Sequence, residues 1–434
     1  MFLSDFSQSV KVETEKGRKA AIMKFYHLAD LHFGKSIYGL SMLEDQRYWS
    51  AQFLNLCEKE KPDAVVIAGD VYDRSAPGIE AVSLLDGFLT RLSQLEIPVL
   101  LIAGNHDSGE RLSFGSSIFA KENIHISGRA KRELDHVTFE NPDGYGPVTF
   151  WMLPYTYPEQ VCEIFEERDI RTYDQALRRL LEAQDADWKT RNVIIAHQNV
   201  TADGMEVERG GSESMVGGVG QVDYSVFDGF EYAALGHIHS AYPVGRTEVR
   251  YAGTPLAYHF SEIRQKNKGL VQVELGAKGE KPKISFLSIA PLHAMRYFSG
   301  PKEKLYEEIQ KDTAGEEYVG VTITDERITP EISSYLRRLF QNRGSVLLEL
   351  ISTYTSFSGH AASAEKEAVE TRAVEDLFSD LYTEQSGGMP PRDMEYDVMK
   401  YVGELVRHTD CHEPLDTEDV RKIIAYAKQC GGKE

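Results

Sequence analysis

Five short apolar runs constrain the fold of this chain more than any other feature of its sequence. They are Phe25–Ala29, Ala64–Ala68, Val99–Ala103, Val193–Ala196 and Tyr232–Leu235. The second and third runs are rich in β-branched residues, which is typical of parallel strands buried on both faces. Stretches with helical periodicity, Glu44–Lys59 and Ile79–Leu95, separate the first three runs. Strands that alternate with helices predict an α/β domain with parallel strands.

Side chains that often bind metals follow each of the five runs. In chain order they are Asp30 and His32, Asp70 and Asp73, Asn105, His106 and Asp107, His197, and His237 and His239. Ligands of open α/β sheets gather at the carboxyl ends of the strands, so we expect these side chains to converge at one rim. Gly69, Gly104 and Gly236 stand at three strand ends and allow tight turns or a close approach of the backbone to a metal or phosphate.

These donors are carboxylate, amide and imidazole groups, with no thiolate among them. Such a set suits Mn²⁺, Fe²⁺ or Zn²⁺. Seven ligands are too many for one four-coordinate zinc site, but they suit two cations roughly 3.5–4 Å apart that share a bridging carboxylate. Each motif alone is compatible with an ordinary turn or a solvated loop. Together and in this order, the motifs predict a two-metal site for phosphate ester hydrolysis.

The motifs D-x-H, GD-x-x-D, GNHD, H and G-H-x-H occur here in the order that is the signature of the calcineurin-like metallophosphoesterases. The segments HLADLHFGK, AVVIAGDVYDRSAP and LIAGNHDSGERLSFGS, and Tyr251–Pro255 leading to Phe260–Glu262, are similar to the bacterial SbcD family of nucleases. The resemblance covers residues 23–290 and, by layout, the module that follows. It implies an α/β fold: a metallophosphoesterase β-sandwich core flanked by helices, a smaller α/β capping domain and a helical C-terminal tail.

The resemblance also implies how the metals are held. Asp30, His32, Asp70 and His239 would bind one metal, with Asp70 bridging to the second. Asn105, His197 and His237 would complete the second site. We expect two divalent metals, Mn²⁺ first, with Fe²⁺, Mg²⁺ or Zn²⁺ as alternatives. A water activated by the two cations would then be the nucleophile.

Two catalytic residues and one supporting residue follow from the same resemblance. His106 would stabilise the developing charge or protonate the leaving oxygen. Asp107 could orient the His106 ring. Asp73 stands where archaeal and eukaryotic relatives carry a histidine, so we expect it to support the ligands rather than to bind metal.

The function implied is a metal-dependent DNA nuclease, a duplex-end exonuclease and hairpin or single-strand endonuclease that uses a two-metal mechanism in an SbcCD-type repair and recombination complex. An alternative is a related metallophosphoesterase of the DNA-repair exonuclease-like group, or another phosphodiesterase with a non-DNA substrate. Protein phosphatases resemble GD-x-x-DRG with GNHE, whereas Ser75 and Asp107 stand at the last positions of those motifs here. A non-enzymatic metal-bearing scaffold is disfavoured, because every expected ligand is present.

The sequence divides into five regions. They are an extension at 1–22 that we expect to be disordered, the nuclease domain at 23–290, a capping domain at 291–355 that shapes DNA access, a linker at 356–372, and a helical region at 373–434. In the capping domain Met295–Phe298, Lys302–Gln310, Tyr318–Ile323, Pro330–Phe340 and Val346–Ile351 alternate as strand and helix. The last region carries helical patterns at Val374–Tyr382, Met394–Arg407 and Thr417–Gln429. The resemblance implies that these helices bind an SbcC-type coiled-coil ATPase in a homodimer or heterotetramer, although they could instead pack on their own domain.

The overall charge gives no sign of a nucleic-acid partner. The chain has 48 basic and 68 acidic residues, a formal net charge of −20, so it has no global basic field. Bound divalent metals and one local basic face can still supply the attraction. Phosphate contacts need basic side chains near the path of DNA, and the candidates beside the predicted site are Lys35, Arg74, Arg111 and Arg264.

Cysteine usage and hydropathy limit the cellular setting. The four cysteines are far apart and form no CxxC pair, so we expect neither a disulfide framework nor a cysteine zinc site, and a reducing cytoplasm fits. No apolar run approaches the ~20 residues that cross a bilayer. We therefore expect no membrane partner and a cytoplasmic protein that is associated with the nucleoid when it is engaged on DNA.

Overall fold

The computed structural model describes residues 9–12, 22–202, 220–264 and 268–354, together with residues 398, 400 and 401. The predicted linker lies outside the described residues, and so do the predicted tail helices except for residues 398, 400 and 401. Within the described ranges no helix combines the length and the apolar character that crossing a bilayer requires.

The strands are, in chain order, β1 Ser9–Val12, β2 Met23–Leu28, β3 Ser36–Ile37, β4 Leu40–Ser41, β5 Ala64–Ala68, β6 Val99–Ile102, β7 Ile124–Ser127, β8 Asp135–Phe139, β9 Val148–Leu153, β10 Arg191–His197, β11 Asn199–Thr201, β12 Gln221–Asp223, β13 Tyr232–Gly236, β14 Pro243–Val244, β15 Arg246–Tyr251, β16 Leu270–Leu275, β17 Lys283–Leu287, β18 Ala294–Gly300, β19 Glu317–Ile323 and β20 Val346–Ser352. The helices are α1 Leu43–Glu60, α2 Ile79–Gln94, α3 Gly109–Leu112, α4 Ser116–Phe119, α5 Pro158–Phe165, α6 Tyr173–Glu182, α7 Lys302–Lys311 and α8 Pro330–Gln341.

Two large sheets form the core. One has the strand order β1-β8-β9-β10-β13-β15-β14 and the other β17-β16-β2-β5-β6-β7. A buried apolar cluster takes side chains from both sheets, among them Phe25, Val66, Phe150 and Val193. Because apolar faces of two sheets must be covered, they pack against each other and form a sandwich. The predicted β-sandwich core is confirmed.

Helices cover the outer faces of the sandwich. Residues of α1 and α2, including Trp49, Phe53 and Phe88, pack with Tyr26 and Val65 on the outer side of the six-stranded sheet. The helices α5 and α6 cover the seven-stranded sheet in the same way. The strand β5 is therefore buried along its whole length, which explains its continuous apolar run rather than an alternating one.

The capping module is the predicted capping domain at residues 291–355. It has the predicted order of strand, helix, strand, helix, strand. Its three strands pair in parallel in the order β18-β19-β20. Apolar side chains of α7 and α8, such as Leu305, Ile309 and Leu336, bury against this sheet. The module therefore has an apolar core of its own.

The structure corrects the expectation for part of the N-terminal extension. Residues Ser9–Val12 form β1, which pairs in parallel with β8 at the edge of the seven-stranded sheet. An edge strand offers unpaired N–H and C=O groups, and a short segment with two valines can pair with them. The extension thus contributes one strand to the fold.

A buried ion pair ties the two sheets together. Arg191, at the start of β10, donates from both terminal nitrogens to the carboxylate of Asp143 at 2.6 and 2.7 Å. Asp143 also accepts the backbone N–H of Met23, at the start of β2 in the other sheet, at 3.1 Å. Arg191 further donates to the carbonyl of Gly276 at 3.0 Å. Charged groups without such partners would be strongly unfavourable here.

We predict that Asp143→Asn lowers the free energy of unfolding by about 3–5 kcal/mol, because the buried guanidinium loses its counter-charge. Urea denaturation of the purified protein measures this change. Glu274→Gln is the matched control, since its partner Lys283 is 72% exposed at 3.2 Å, and exposed pairs contribute less than about 1 kcal/mol. Equal losses in the two variants would contradict the special role of the buried pair.

Candidate metal centre

The carboxyl ends of strands from both sheets meet at one rim. Asp30 and His32 follow β2, Asp70 follows β5, and Asn105 follows β6 in one sheet; His197 ends β10, and His237 and His239 follow β13 in the other. The backbone N–H of His237 donates to the Asp30 carboxylate at 3.0 Å. The ring of His197 is 2.8 Å from the carbonyl oxygen of Ala68. The structure thus brings together all seven side chains that the sequence singles out as metal ligands.

The backbone is strained where these side chains leave it. Asp30, His32, Asp70 and His237 have positive φ angles of 53°, 45°, 49° and 102°. Such conformations cost non-glycine residues of order 1–3 kcal/mol each and cluster at functional sites. Backbone hydrogen bonds from Asp30 N to Gly69 O at 3.0 Å and from His32 N to Asp70 O at 2.9 Å hold the first two loops together.

The donors fall into two groups on either side of Asp70. In the first, ligand atoms of Asp30, His32 and His239 lie within 4.8 Å of one another, and the Nε2 atoms of the two histidines are 3.2 Å apart. In the second, Asn105 Oδ1 is 3.1 Å from His197 Nε2 and 2.9 Å from His237 Nδ1.

Asp70 lies between the two groups. Its Oδ2 is 3.8 Å from His32 Nε2 and 3.4 Å from His197 Nε2. The carboxylate therefore faces both sets of donors at once. This is the position from which one carboxylate can serve two cations.

Burial and neighbouring charges shift the pKa values of Asp30, Asp70 and His197. Burial, with the negative charge of Asp70 adding to it, raises the pKa of Asp30 to about 7. Burial would also raise the pKa of Asp70, but His197 and then His32 more than offset it and hold that pKa well below its usual range. Burial would lower the pKa of His197, yet Asp70 raises it to about 9. Buried carboxylates beside imidazole and amide donors fit divalent metals, so these His and Asp groups are placed to bind them.

Two glycines permit this crowding. A Cβ atom on Gly104 would collide with the carboxylate and backbone nitrogen of Asp70. Gly69 has a φ of +85°, and a Cβ there would collide with the ring of His197. The sequence predicts that these glycines let the backbone approach a metal or phosphate closely. In the structure they let the backbone approach the donor side chains of Asp70 and His197.

Glu262 supports His239 and was not recognised as functional from the sequence. Its buried carboxylate is 3.3 Å from His239 Nδ1 and accepts a hydrogen bond from Lys268 Nζ at 2.6 Å. Burial would raise the pKa of Glu262, but the hydrogen bond with His239 and the charge of Lys268 lower it below its usual range. An ionised partner at Nδ1 directs Nε2 toward the metal site. A lone Glu in a loop gives no periodic signal for this role.

The structure corrects the expectation for Asp107. Its carboxylate accepts the backbone N–H groups of Val71, Tyr72 and Gly104 at 3.0, 2.9 and 2.9 Å. Among the described residues it forms no hydrogen bond with the ring of His106. Asp107 therefore fixes the loops after β5 and β6.

Asp73 orients His106 instead. The ring Nδ1 of His106 is 2.9 Å from the carbonyl oxygen of Asp73, so Nδ1 carries the proton and Nε2 faces Asp70 Oδ2 at 4.0 Å. The side chain of Asp73 lies 3.7 Å from His32 Nδ1 and binds Lys35. Ligand atoms of His32, Asp73 and His106 also lie within 4.8 Å of one another, so the supporting role of Asp73 stays a prediction.

The four candidate DNA-binding cations are not equivalent. The structure corrects the expectation that Lys35 binds DNA, because its side chain is 14% exposed and its ammonium pairs with Asp73 at 2.7 Å. Arg74 is 71% exposed, and Arg111 donates to the carbonyl of Ser75 at 3.0 Å. These two arginines therefore flank the loop that follows β5. Arg264 is exposed in the turn that carries Glu262.

Three tyrosines that the sequence analysis missed lie beside the second group of donors. The ring of Tyr155 is 6.1 Å from those of His197 and His237. Tyr157 packs edge-on against it at 5.0 Å and is 44% exposed, and the Tyr173 hydroxyl is 3.3 Å from that of Tyr155. Tyr155 and Tyr157 follow β9, and Tyr173 begins α6. No residue of a metal-binding type follows β9 directly, so the sequence gives no sign of a site there.

Two family profiles match different parts of the chain. The family profile described as calcineurin-like phosphoesterase matches residues 23–241, about half of the chain. A second profile, described as type 5 capsule protein repressor C-terminal domain, matches residues 291–386. A solved structure described as a dimetal phosphatase from Danio rerio aligns with a TM-score of 0.33 and 12% identity over 62% of this chain and 100% of that one, so this similarity says nothing about the substrate.

Two curated relatives are named as the SbcD component of the nuclease SbcCD. The protein from Staphylococcus epidermidis is 32% identical over 321 residues, which are 74% of this chain and 84% of the relative. The protein from Staphylococcus saprophyticus is 29% identical over 364 residues, which are 83% of this chain and 93% of the relative. The similarity therefore extends over most of both sequences.

We predict that Gly104→Ala weakens Mn²⁺ binding by roughly 10–100-fold, the range found when the support of a metal ligand is removed. The added methyl group would displace the Asp70 carboxylate. Isothermal titration with Mn²⁺ measures the effect. In the control Gly78→Ala the new Cβ meets nothing within 4 Å, and a similar loss there would refute the steric explanation.

Proposed function

Because the chain belongs to the SbcD family of calcineurin-like phosphoesterases, and is thus a metal-dependent nuclease that hydrolyses phosphodiester bonds, we propose that it acts on DNA. In this proposal it is an exonuclease on duplex ends and an endonuclease on hairpins and single strands. The observation that carries the proposal is the two groups of donors on either side of Asp70.

Each group of donors is proposed to hold one divalent metal. Asp30, His32 and His239 would hold the first, Asn105, His197 and His237 the second, and Asp70 would bridge them. When bound, the two cations supply Lewis acidity that activates water and neutralises phosphate charge. We favour Mn²⁺, which imidazole and carboxylate ligands suit.

His106 is proposed to act on the substrate rather than on the metals. Its Nδ1 proton is committed to the carbonyl of Asp73, so Nε2 is the atom that faces the site. In the protonated state Nε2–H can donate to the phosphate or pass its proton to the leaving oxygen. Its side chain is 32% exposed, which leaves it accessible to a substrate.

We predict Mn²⁺-dependent release of nucleotides from an end-labelled linear duplex by the purified chain. Asp70→Ala should abolish this activity, because it removes the carboxylate shared by both donor groups. A chelator should abolish it in the unaltered protein. Cleavage of bis-p-nitrophenyl phosphate alongside an intact duplex would favour the alternative, a phosphodiesterase with a non-DNA substrate.

Two further variants in the same assay separate metal binding from catalysis. His106→Gln should bind two Mn²⁺ per chain but lose roughly 10²–10⁴-fold in turnover, the usual contribution of a positioned acid or base. Asn105→Ala should lose one Mn²⁺ together with activity. If His106→Gln also loses metal, its proposed role is wrong.

The path of DNA is proposed to run across the exposed arginines and the tyrosines. Arg74 and Arg111 lie at the loop after β5 and can contact phosphates. The net charge of −20 leaves little long-range attraction, so short-range stacking of bases has to contribute more. Tyr157 offers an exposed ring within 5.0 Å of Tyr155, which itself lines the second donor group.

We predict that Tyr157→Ala weakens binding of a single-stranded oligonucleotide by roughly 5–150-fold, as expected for about 1–3 kcal/mol of base stacking. Fluorescence anisotropy in Ca²⁺, without turnover, measures the affinity. Tyr48→Ala, an exposed tyrosine on α1, is the control. A loss equal to that of the control would exclude a stacking role.

The partners of this chain are also part of the proposal. The names of the relatives refer to an SbcCD assembly, and we propose that residues 373–434 bind an SbcC-type ATPase. A homodimer or a heterotetramer is supported by exposed apolar side chains on and beside α2 and α4, among them Val82, Phe114 and Ile118. They border an apolar groove of about 520 Å³, and a self-complementary dimer could cover it. Work on chromosomal DNA would place the protein in the cytoplasm, at the nucleoid.

A further inference from the structure

Two of the contacts between the capping module and the core lead to histidines of the metal site. We propose that docking of this module positions His32 and His239, and thereby sets the affinity of one of the two metals. The inference rests on the proposed two-metal function. It assigns positioning roles to Tyr318 and Tyr297, residues of the module that do not contact the metal site themselves.

The first linkage runs through the start of α1. The hydroxyl of Tyr318, on β19, donates to the buried carboxylate of Asp45 at 2.7 Å, and the backbone N–H of His293 donates to it at 3.0 Å. The next residue, Gln46, donates from Nε2 to the carbonyl of His32 at 2.7 Å. A shift of the module is therefore passed through one helical turn to the backbone of His32.

Gln46 holds the rest of the His32 loop as well. Its Oε1 accepts the backbone N–H of Gly34 at 2.9 Å. Since His32 has a φ of 45°, its backbone needs such contacts to stay in an unfavourable conformation. Loss of the Asp45 anchor would let this strained loop relax.

The second linkage runs through the turn that holds Glu262. Phe260, in that turn, packs against the ring of Tyr297 on β18 with centroids 5.3 Å apart. Two residues later, the carboxylate of Glu262 is 3.3 Å from His239 Nδ1. The module thus contacts one side of the turn, while the other side supports His239.

Tyr258 joins the two linkages. Its hydroxyl accepts a hydrogen bond from Gln46 Nε2 at 3.1 Å and donates to the carbonyl of Leu31 at 2.6 Å. Its backbone N–H donates to Glu262 at 3.2 Å. The two contacts of the module are therefore parts of one buried network, and we expect their effects to be cooperative.

The network contacts the first group of donors, and within the described residues its hydrogen bonds do not reach the second group. Both linkages end at His32 and His239, whose Nε2 atoms are 3.2 Å apart. The second group is held from within the core: His197 by the carbonyl of Ala68, and Asn105 by the rings of His197 and His237. Displacement of the module should therefore weaken the first metal and spare the second.

The test is Mn²⁺ binding by the full chain with the double variant Tyr318→Phe/Tyr297→Ala, which removes the hydroxyl and the ring that face the core. The control Tyr335→Phe/Tyr306→Ala removes the same atoms from a tyrosine pair on α8 and α7 whose rings are 4.7 Å apart. Titration calorimetry gives the two affinities. Electron paramagnetic resonance distinguishes a coupled pair of Mn²⁺ ions from a single one.

We expect one of the two Mn²⁺ affinities to fall roughly three- to tenfold in the double variant, less than the about 10–100-fold for a direct partner of a ligand. At a metal concentration that gives the unaltered protein a coupled pair, the variant should show an uncoupled ion. In an Asn105→Ala background, which keeps the first donor group, the remaining ion should be weakened too. The control should match the unaltered protein in each measurement.

The outcomes separate this inference from the proposed function. If the unaltered chain fails to bind two Mn²⁺, the two-metal proposal itself is wrong. If it binds two and the double variant matches its control, the positioning role is wrong. Tyr318→Phe alone keeps the ring and removes only one hydroxyl, so its smaller shift in the same direction is required even if the double variant does not fold.

Discussion

The burial of Asp30 and Asp70 at the junction of two sheets is the constraint on which the site depends. Both residues are at most 3% exposed, and neither carboxylate can be stable there as an isolated charge. Three of the histidines around them, His197, His237 and His239, come from the opposite sheet. The sandwich must therefore close correctly before these charges are compensated, which couples the assembly of the core to the formation of the metal centre.

The strained backbone is a consequence of the same constraint. Seven donors can share one small volume only if several loops turn immediately after their strands, and four of the residues involved adopt positive φ angles. Gly69 and Gly104 remove the side chains that would collide with His197 and Asp70. Asp107 then fixes the loops through their backbone N–H groups. The rigidity around the site comes from hydrogen bonds to backbone as much as from the donors themselves.

Much of the site could be predicted because each ligand directly follows an apolar strand. The order of strand and motif carries this information locally, and the resemblance to a known family implied the division into two groups, which stays a prediction. The roles of Asp107 and Lys35 could not be predicted in the same way. Both lie close in sequence to site residues, but contacts between loops decide their hydrogen-bond partners. Asp107 accepts from the backbone of Val71, and Lys35 donates to Asp73. Glu262 and Tyr155 lie on segments whose local pattern is that of an ordinary loop.

The sequence by itself determined the alternation of buried strands and helices, the donor types at the strand ends and the strand–helix order of residues 291–355. These features depend on periodicity and on neighbours in the chain. Only the tertiary structure decided that β1 joins the sheet, that Asp73 rather than Asp107 orients His106, and that Asp45 and Phe260 contact the capping module. Those contacts join residues as many as 273 positions apart, as between Asp45 and Tyr318. No local pattern encodes them, because their geometry exists only once the sheets, loops and module have packed together.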